Sequence, residues 1–138
     1  MAAEHAKRLI EEAVDRRAER LIAISDAIWD CPEGGFQEFQ SVNILIKGLE
    51  EEGFAVTRGL DRMDTAFQGV WDSGHPVVGI LGEFDALPGL SQQAGRPEKC
   101  PVKDGAYGHG CGHNLLGAGT LAAAIAIKEY LKESGRGR

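Results

Sequence analysis

The sequence predicts an α/β domain built around a mixed sheet, and three observations carry that expectation. Apolar residues recur at three- and four-residue steps through two N-terminal stretches, as they do on amphipathic helices. Short β-like segments separated by turn residues follow. A run from Leu115 to Ile127 is apolar nearly throughout and reads as a buried helix. At 138 residues the chain fits one compact domain with a modest core of two layers.

Taken in order, Leu9, Ile10, Ala13, Val14, Ala18, Leu21, Ile22, Ile28 and Trp29 predict one long amphipathic helix over Glu4–Trp29. It should stop near Cys31-Pro32, because proline disfavours helical geometry in the residue before it, and Gly34-Gly35 supply a turn. A second helix over Glu38–Glu52 buries Val42, Leu45, Ile46 and Leu49 and ends at Gly53, a residue suited to the left-handed position after a helix. Strands are predicted at Phe54–Arg58, Thr65–Trp71 and Val77–Leu81, with hairpin-loop chemistry at Asp72-Ser73-Gly74-His75. Val77–Leu81 is apolar on both faces and is expected as the central strand, covered on both sides. Residues 86–113 form a long loop of glycine, proline and polar residues, which in a compact domain is either functional or disordered. The last helix is expected over Asn114–Glu133.

A hydrophobic share of 43% and a charged share of 26% are those of an ordinary folded chain. The net charge of −6 offers no basic field for phosphate backbones or anionic lipid, so nucleic acid is not an expected partner. Leu115–Ile127 is shorter than the roughly 20 residues that cross a bilayer, so no membrane span is expected. The N-terminus mixes charges and lacks the apolar core of a secretion signal, and Cys31, Cys100 and Cys111 stand at irregular spacing. A cytoplasmic location without a disulfide framework is therefore expected.

Two segments could carry chemistry. The predicted central strand runs into Gly82-Glu83-Phe84-Asp85, and ligands in open α/β sheets gather beyond the carboxyl ends of strands. The second segment, Tyr107-Gly108-His109-Gly110-Cys111-Gly112-His113-Asn114, alternates glycine with imidazole and thiol. If extended, it would point His109, Cys111 and His113 into one cavity. Thiolate and imidazole both bind zinc and similar divalent ions, and the positive end of the following helix favours a thiolate at Cys111. Two other readings stand beside this one. A glycine-rich turn could simply enter a buried helix, with Cys111 as a small core residue and the histidines bonded to backbone. A phosphate-cradling loop fits less well, because His113 occupies the place of the last glycine of G-x-G-x-x-G and no strand leads directly into the loop.

At these residues GEFDALPGLSQQAG and YGHGCGHNLLGAGTLAAA resemble the M20 family of metallopeptidases and amidohydrolases, most closely its p-aminobenzoyl-glutamate hydrolase-like branch. IWDCPEGGFQEFQS and LEEEGF look like that family's opening helices. The resemblance implies a three-layer α/β/α, zinc-peptidase-like catalytic domain, of which residues 1–138 would be the N-terminal portion, without the lid or dimerisation domain and the C-terminal part. It implies two divalent ions (zinc, manganese or cobalt) in the intact enzyme, and hydrolysis of a small-molecule amide by metal-activated water. Substrates would be N-acyl or aminobenzoyl amino acids, or dipeptides. Cys111 and His113 match the metal ligands of the Cys-Gly-His motif, and Asp85 matches the catalytic aspartate that supports the site. Glu83 falls where other branches have a metal-binding histidine, His109 matches an outer histidine, and Asn114 departs from an aspartate common in amidohydrolases. These three are candidates for the outer shell.

In the family, the general-base glutamate and further ligands come later than Arg138. The expectation is therefore an inactive N-terminal segment, or a half-site completed by a C-terminal segment or by a homodimer contact. The alternative from another class is a non-catalytic assembly or scaffold domain.

Overall fold

A computed structural model of the chain describes residues 2–71 and 74–135. Asp72 and Ser73 of the predicted hairpin loop lie outside the described residues. The element order is α1 (Ala2–Asp15), α2 (Ala18–Asp30), α3 (Phe39–Glu51), β1 (Ala55–Arg58), β2 (Phe67–Val70) and α4 (His113–Ser134).

The single helix predicted over Glu4–Trp29 is two. A continuous helix would bond the Arg17 amide to the Ala13 carbonyl; instead the Arg17 guanidinium donates to that carbonyl at 3.0 Å, and the amide bonds Val14 at 2.9 Å. The same guanidinium pairs with Glu52 and Glu129, from the end of α3 and from α4. A long-range ion pair thus replaces one helical turn, which hydrophobic periodicity cannot register. The second helix ends as predicted. Gly53 takes φ 82°, its amide bonds Glu50 at 2.9 Å, and the Phe54 amide bonds Leu49 at 3.0 Å, the paired bonds of a Schellman motif.

Leu21, Ile24 and Ile28 of α2, Leu45 and Leu49 of α3, and Ala118, Leu121 and Ile125 of α4 form the core. Gly48 lets α3 approach, since a Cβ there would stand 2.8 Å from Leu121. Lys128 of α4 is buried, and its ammonium donates to the Glu52 carbonyl at 2.7 Å and carboxylate at 2.8 Å, binding α4 to the end of α3.

Among the described residues the sheet has two antiparallel strands, with Ala55 opposite Val70 and Arg58 opposite Phe67. This corrects the mixed sheet and its central strand. Val77–Leu81 is irregular chain whose apolar side chains stand largely in solvent, with Leu81 89% exposed. No backbone hydrogen bond ties it to β1 or β2 among the described residues. It forms one wall of an open apolar groove of about 630 Å³, whose other walls include Leu49, Phe67, Thr120 and Ile127. The near-uniform apolarity of residues 115–127 of α4 follows from this arrangement: one face meets the core and the other meets the groove. No helix of the described residues is long and apolar enough to cross a membrane.

Candidate metal centre

Residues 82–87 are laid across the start of α4 by close packing. A Cβ on Gly82 would stand 2.6 Å from Thr120 Oγ1, and one on Gly117 would stand 3.1 Å from Phe84 Cβ. Phe84 packs against the core, while Glu83 and Asp85 on either side of it both reach His113. Backbone clamps then fix this segment at both edges. The Ala86 amide donates to the Glu33 carbonyl at 2.7 Å, while Leu87 and Gly108 exchange two bonds of 3.0 Å. Gly108 has no room for a side chain, because a Cβ would fall 1.9 Å from the Leu90 carbonyl oxygen.

Glu33, which sequence reasoning passed over, organises this neighbourhood. Its carboxylate accepts from the Gln40 and Ser41 amides and the Ser41 hydroxyl, each at 2.9 Å, and so caps α3 from outside the helix. Glu38, at the N-cap position itself, makes no capping bond through its side chain. The available signal was an acidic residue a few positions before a helix that opens without Ser, Thr, Asp or Asn. Gly34, read from sequence as a turn residue, is needed small because a Cβ there would meet the Tyr107 ring at 2.5 Å.

His113 opens α4 behind Gly112, whose φ of 77° suits glycine. Its Nδ1 donates to Asp85 Oδ1 at 2.7 Å, and its Nε2 lies 3.5 Å from Glu83 Oε2. The two carboxylates and the imidazole place one ligand atom each within 4.8 Å of one another, a group able to hold a metal ion. The Asp85 bond fixes the His113 ring and directs Nε2 away from Asp85, the arrangement by which carboxylates orient metal-binding histidines.

The glycine-spaced loop is not extended, which corrects the alternation expected for it. The Gly112 amide bonds the His109 carbonyl at 3.0 Å, closing a turn that sends the side chains in different directions. Cys111 is exposed and stands outside the Glu83–Asp85–His113 group. His109 turns inward, where its Nε2 donates to the Ile28 carbonyl at 3.1 Å and its ring lies 6.3 Å from Trp29. Burial pushes the His109 imidazole below the ordinary histidine range; the Ile28 carbonyl acts against this, His113 adds to it and Asp85 opposes it. Its Nδ1 is buried with no hydrogen-bond partner, as is Oδ1 of Asn114. Asn114 Nδ2 donates to Ser25 Oγ at 3.1 Å and thereby holds the first turn of α4 against α2.

The long loop preceding this turn is ordered by its own polar groups. Gln92 bonds the Arg96 carbonyl at 3.1 Å, the Glu98 carbonyl at 2.9 Å and the Cys100 amide at 2.9 Å.

The chain matches no protein-family model. It is 48% identical over 130 residues to a p-aminobenzoyl-glutamate hydrolase subunit of Escherichia coli (strain K12), covering 94% of this chain and 27% of that protein. It is 31% identical over 134 residues to the human Xaa-Arg dipeptidase, with 88% of this chain and 27% of the relative covered. The N-acetyl-L-cysteine deacetylase of Bacillus subtilis (strain 168) is 27% identical over 110 residues, 80% of this chain and 26% of its own length. The chain thus spans about a quarter of the length of these relatives, and all three names are those of hydrolases acting on amide bonds.

Proposed function

Because this chain belongs to the M20 family of metallopeptidases and amidohydrolases, we propose that it contributes part of the active site of a metal-dependent amidohydrolase. The substrate class is an N-acyl or aminobenzoyl amino acid, or a dipeptide. His113 holds divalent metal and Asp85 orients it; Cys111, exposed and outside the Glu83–Asp85–His113 group, is the further ligand that the resemblance to the family implies. The observation that carries this reading is the Asp85–His113 hydrogen bond of 2.7 Å, which keeps Nδ1 occupied and leaves Nε2 to face the Glu83 carboxylate. Thiolate, imidazole and carboxylate together suit zinc, manganese or cobalt.

A divalent ion held there supplies Lewis acidity, acidifying water and polarising the amide carbonyl. This chain's own residues do the positioning. Asp85 fixes the orientation and proton placement of the His113 ring; the Glu33 and Gly108 clamps hold Asp85 in register; and Asn114 anchors the helix that carries His113. A complete hydrolytic site needs about three protein ligands, a base and an open position. The open groove beside Val77–Leu81 supports completion by further polypeptide of a three-layer α/β/α domain, which would extend the two-stranded sheet and contribute the remaining ligands of a two-metal site. A second copy of the chain is the other possible source of cover.

Metal content of the purified chain tests the ligand assignment. The unsubstituted protein should retain divalent metal after gel filtration, with Cys111→Ser and His113→Ala each retaining less. Equal content in all three proteins refutes it.

A further inference from the structure

We propose that Glu83 is itself a direct metal ligand, sharing one ion with His113, so that the two carboxylates of GEFD have different jobs. The proposal rests on the metal reading above and deepens it. Asp85 stands 2.7 Å from His113 Nδ1, a direct hydrogen bond with no space for an ion. Glu83 Oε2 stands 3.5 Å from His113 Nε2, longer than a good hydrogen bond between these atoms. That separation is the one that two ligands of a common ion require: bonds of about 2.0–2.2 Å subtending a tetrahedral angle leave the ligand atoms roughly 3.3–3.6 Å apart. The two carboxylates therefore flank the imidazole asymmetrically, one seated as a hydrogen-bond acceptor and the other at ligand-to-ligand distance.

The surroundings agree. Phe84 packs against the core between the two acids, and the close packing of Gly82 on Thr120 and of Gly117 on Phe84 holds the backbone that presents Glu83 beside His113. Among the described residues, Glu83 faces no Lys or Arg, and His113 is its ion-pair partner. Its side chain is 60% exposed, which leaves an ion bound there open to water and substrate. A carboxylate in the set also adds a hard oxygen to imidazole nitrogen and thiolate sulfur. That widens the usable ions from zinc toward manganese.

The test is a cobalt(II) titration of the full 138-residue chain, followed by visible absorption, with manganese(II) and zinc(II) measured by competition. The proteins are the unsubstituted chain, Glu83→Gln and Glu83→His, each checked for unchanged far-UV circular dichroism. Removing an outer-shell partner costs about 10–100-fold in affinity, so loss of a direct ligand should weaken cobalt binding by roughly a hundredfold and alter the d–d bands. Manganese should suffer more than zinc, and Glu83→His should restore cobalt binding with a shifted spectrum, because imidazole can replace carboxylate as a ligand. If the unsubstituted chain binds no cobalt, the metal reading and this proposal fall together. If it binds and Glu83→Gln matches it in affinity and spectrum, the proposal alone falls. If Glu83→Gln weakens binding with an unchanged spectrum and Glu83→His restores nothing, Glu83 acts only through its charge and the proposal is again overturned.

Discussion

Asp85→Asn isolates the orienting bond from the ligands themselves. The substitution preserves shape but replaces an ionised acceptor with a neutral amide, which can meet His113 Nδ1 through its oxygen or clash with it through its nitrogen. A hydrogen bond with one charged partner contributes about 1.5–3 kcal/mol net. Asp85 keeps 28% and His113 18% of its side chain in solvent, so the lower half of that range applies, about 1.5–2 kcal/mol, or roughly 10–30-fold in Kd for metal. Calorimetric titration of zinc into the two proteins at fixed pH and salt measures this directly. Because Asp85 acts through His113, adding Asp85→Asn to His113→Ala should cost nothing further, a non-additivity that a double-mutant cycle reads cleanly. Asp85→Asn with unchanged Kd, or with a full extra loss in the His113→Ala background, would refute the orienting role.

Gly108→Ala should destabilise the fold by about 1–3 kcal/mol, since its Cβ would fall 1.9 Å from the Leu90 carbonyl oxygen, a backbone atom that cannot swing aside; an unshifted urea midpoint would contradict the close approach. Glu33→Ala should cost about 1–2 kcal/mol through lost capping of α3 and speed hydrogen exchange at the Ala86 amide, whose acceptor is the Glu33 carbonyl; unchanged exchange would separate the cap from the Asp85 clamp. Glu52 supplies a pH dependence. Burial pushes its carboxyl up, but the bonds from Arg17 and Lys128 outweigh that and hold it below the usual 4.5. A depressed folded value means stabilisation that is present above the unfolded value and lost as pH falls through the folded one. Denaturation midpoints should therefore drop on acidification below about pH 4.5, and Glu52→Gln should flatten that part of the profile; a parallel drop in both proteins would assign the acid sensitivity elsewhere.

Helices α3 and α4 and the strands β1 and β2 were legible because each is decided locally. Val42, Leu45, Ile46 and Leu49 mark one face of α3, and Gly53 terminates it by the bonds its type predicts. The Asp85–His113 pairing was legible only as two motifs far apart in sequence; the resemblance joined them, and the fold shows the 2.7 Å contact. Three features escaped, two of them because contacts beyond the local segment decide them. The α1–α2 break rests on Arg17 reaching Glu52 and Glu129. The turn at 109–112 overrides the alternation that would have aligned His109, Cys111 and His113. Glu33 works through a helix it does not belong to.

Val77–Leu81 shows a different limit. Apolarity on both faces records how much burial a segment requires, whereas strand formation also needs backbone partners on at least one edge. The segment meets the first condition by composition and, among the described residues, lacks the second, so its apolar side chains wall the groove instead. The expected strand and the observed groove therefore express the same property of these residues. A polypeptide that covered the groove and paired with 77–81 would give that segment the backbone partners of a strand, and because the next residues are Gly82, Glu83, Phe84 and Asp85, pairing there would stiffen the carboxylate pair that flanks His113.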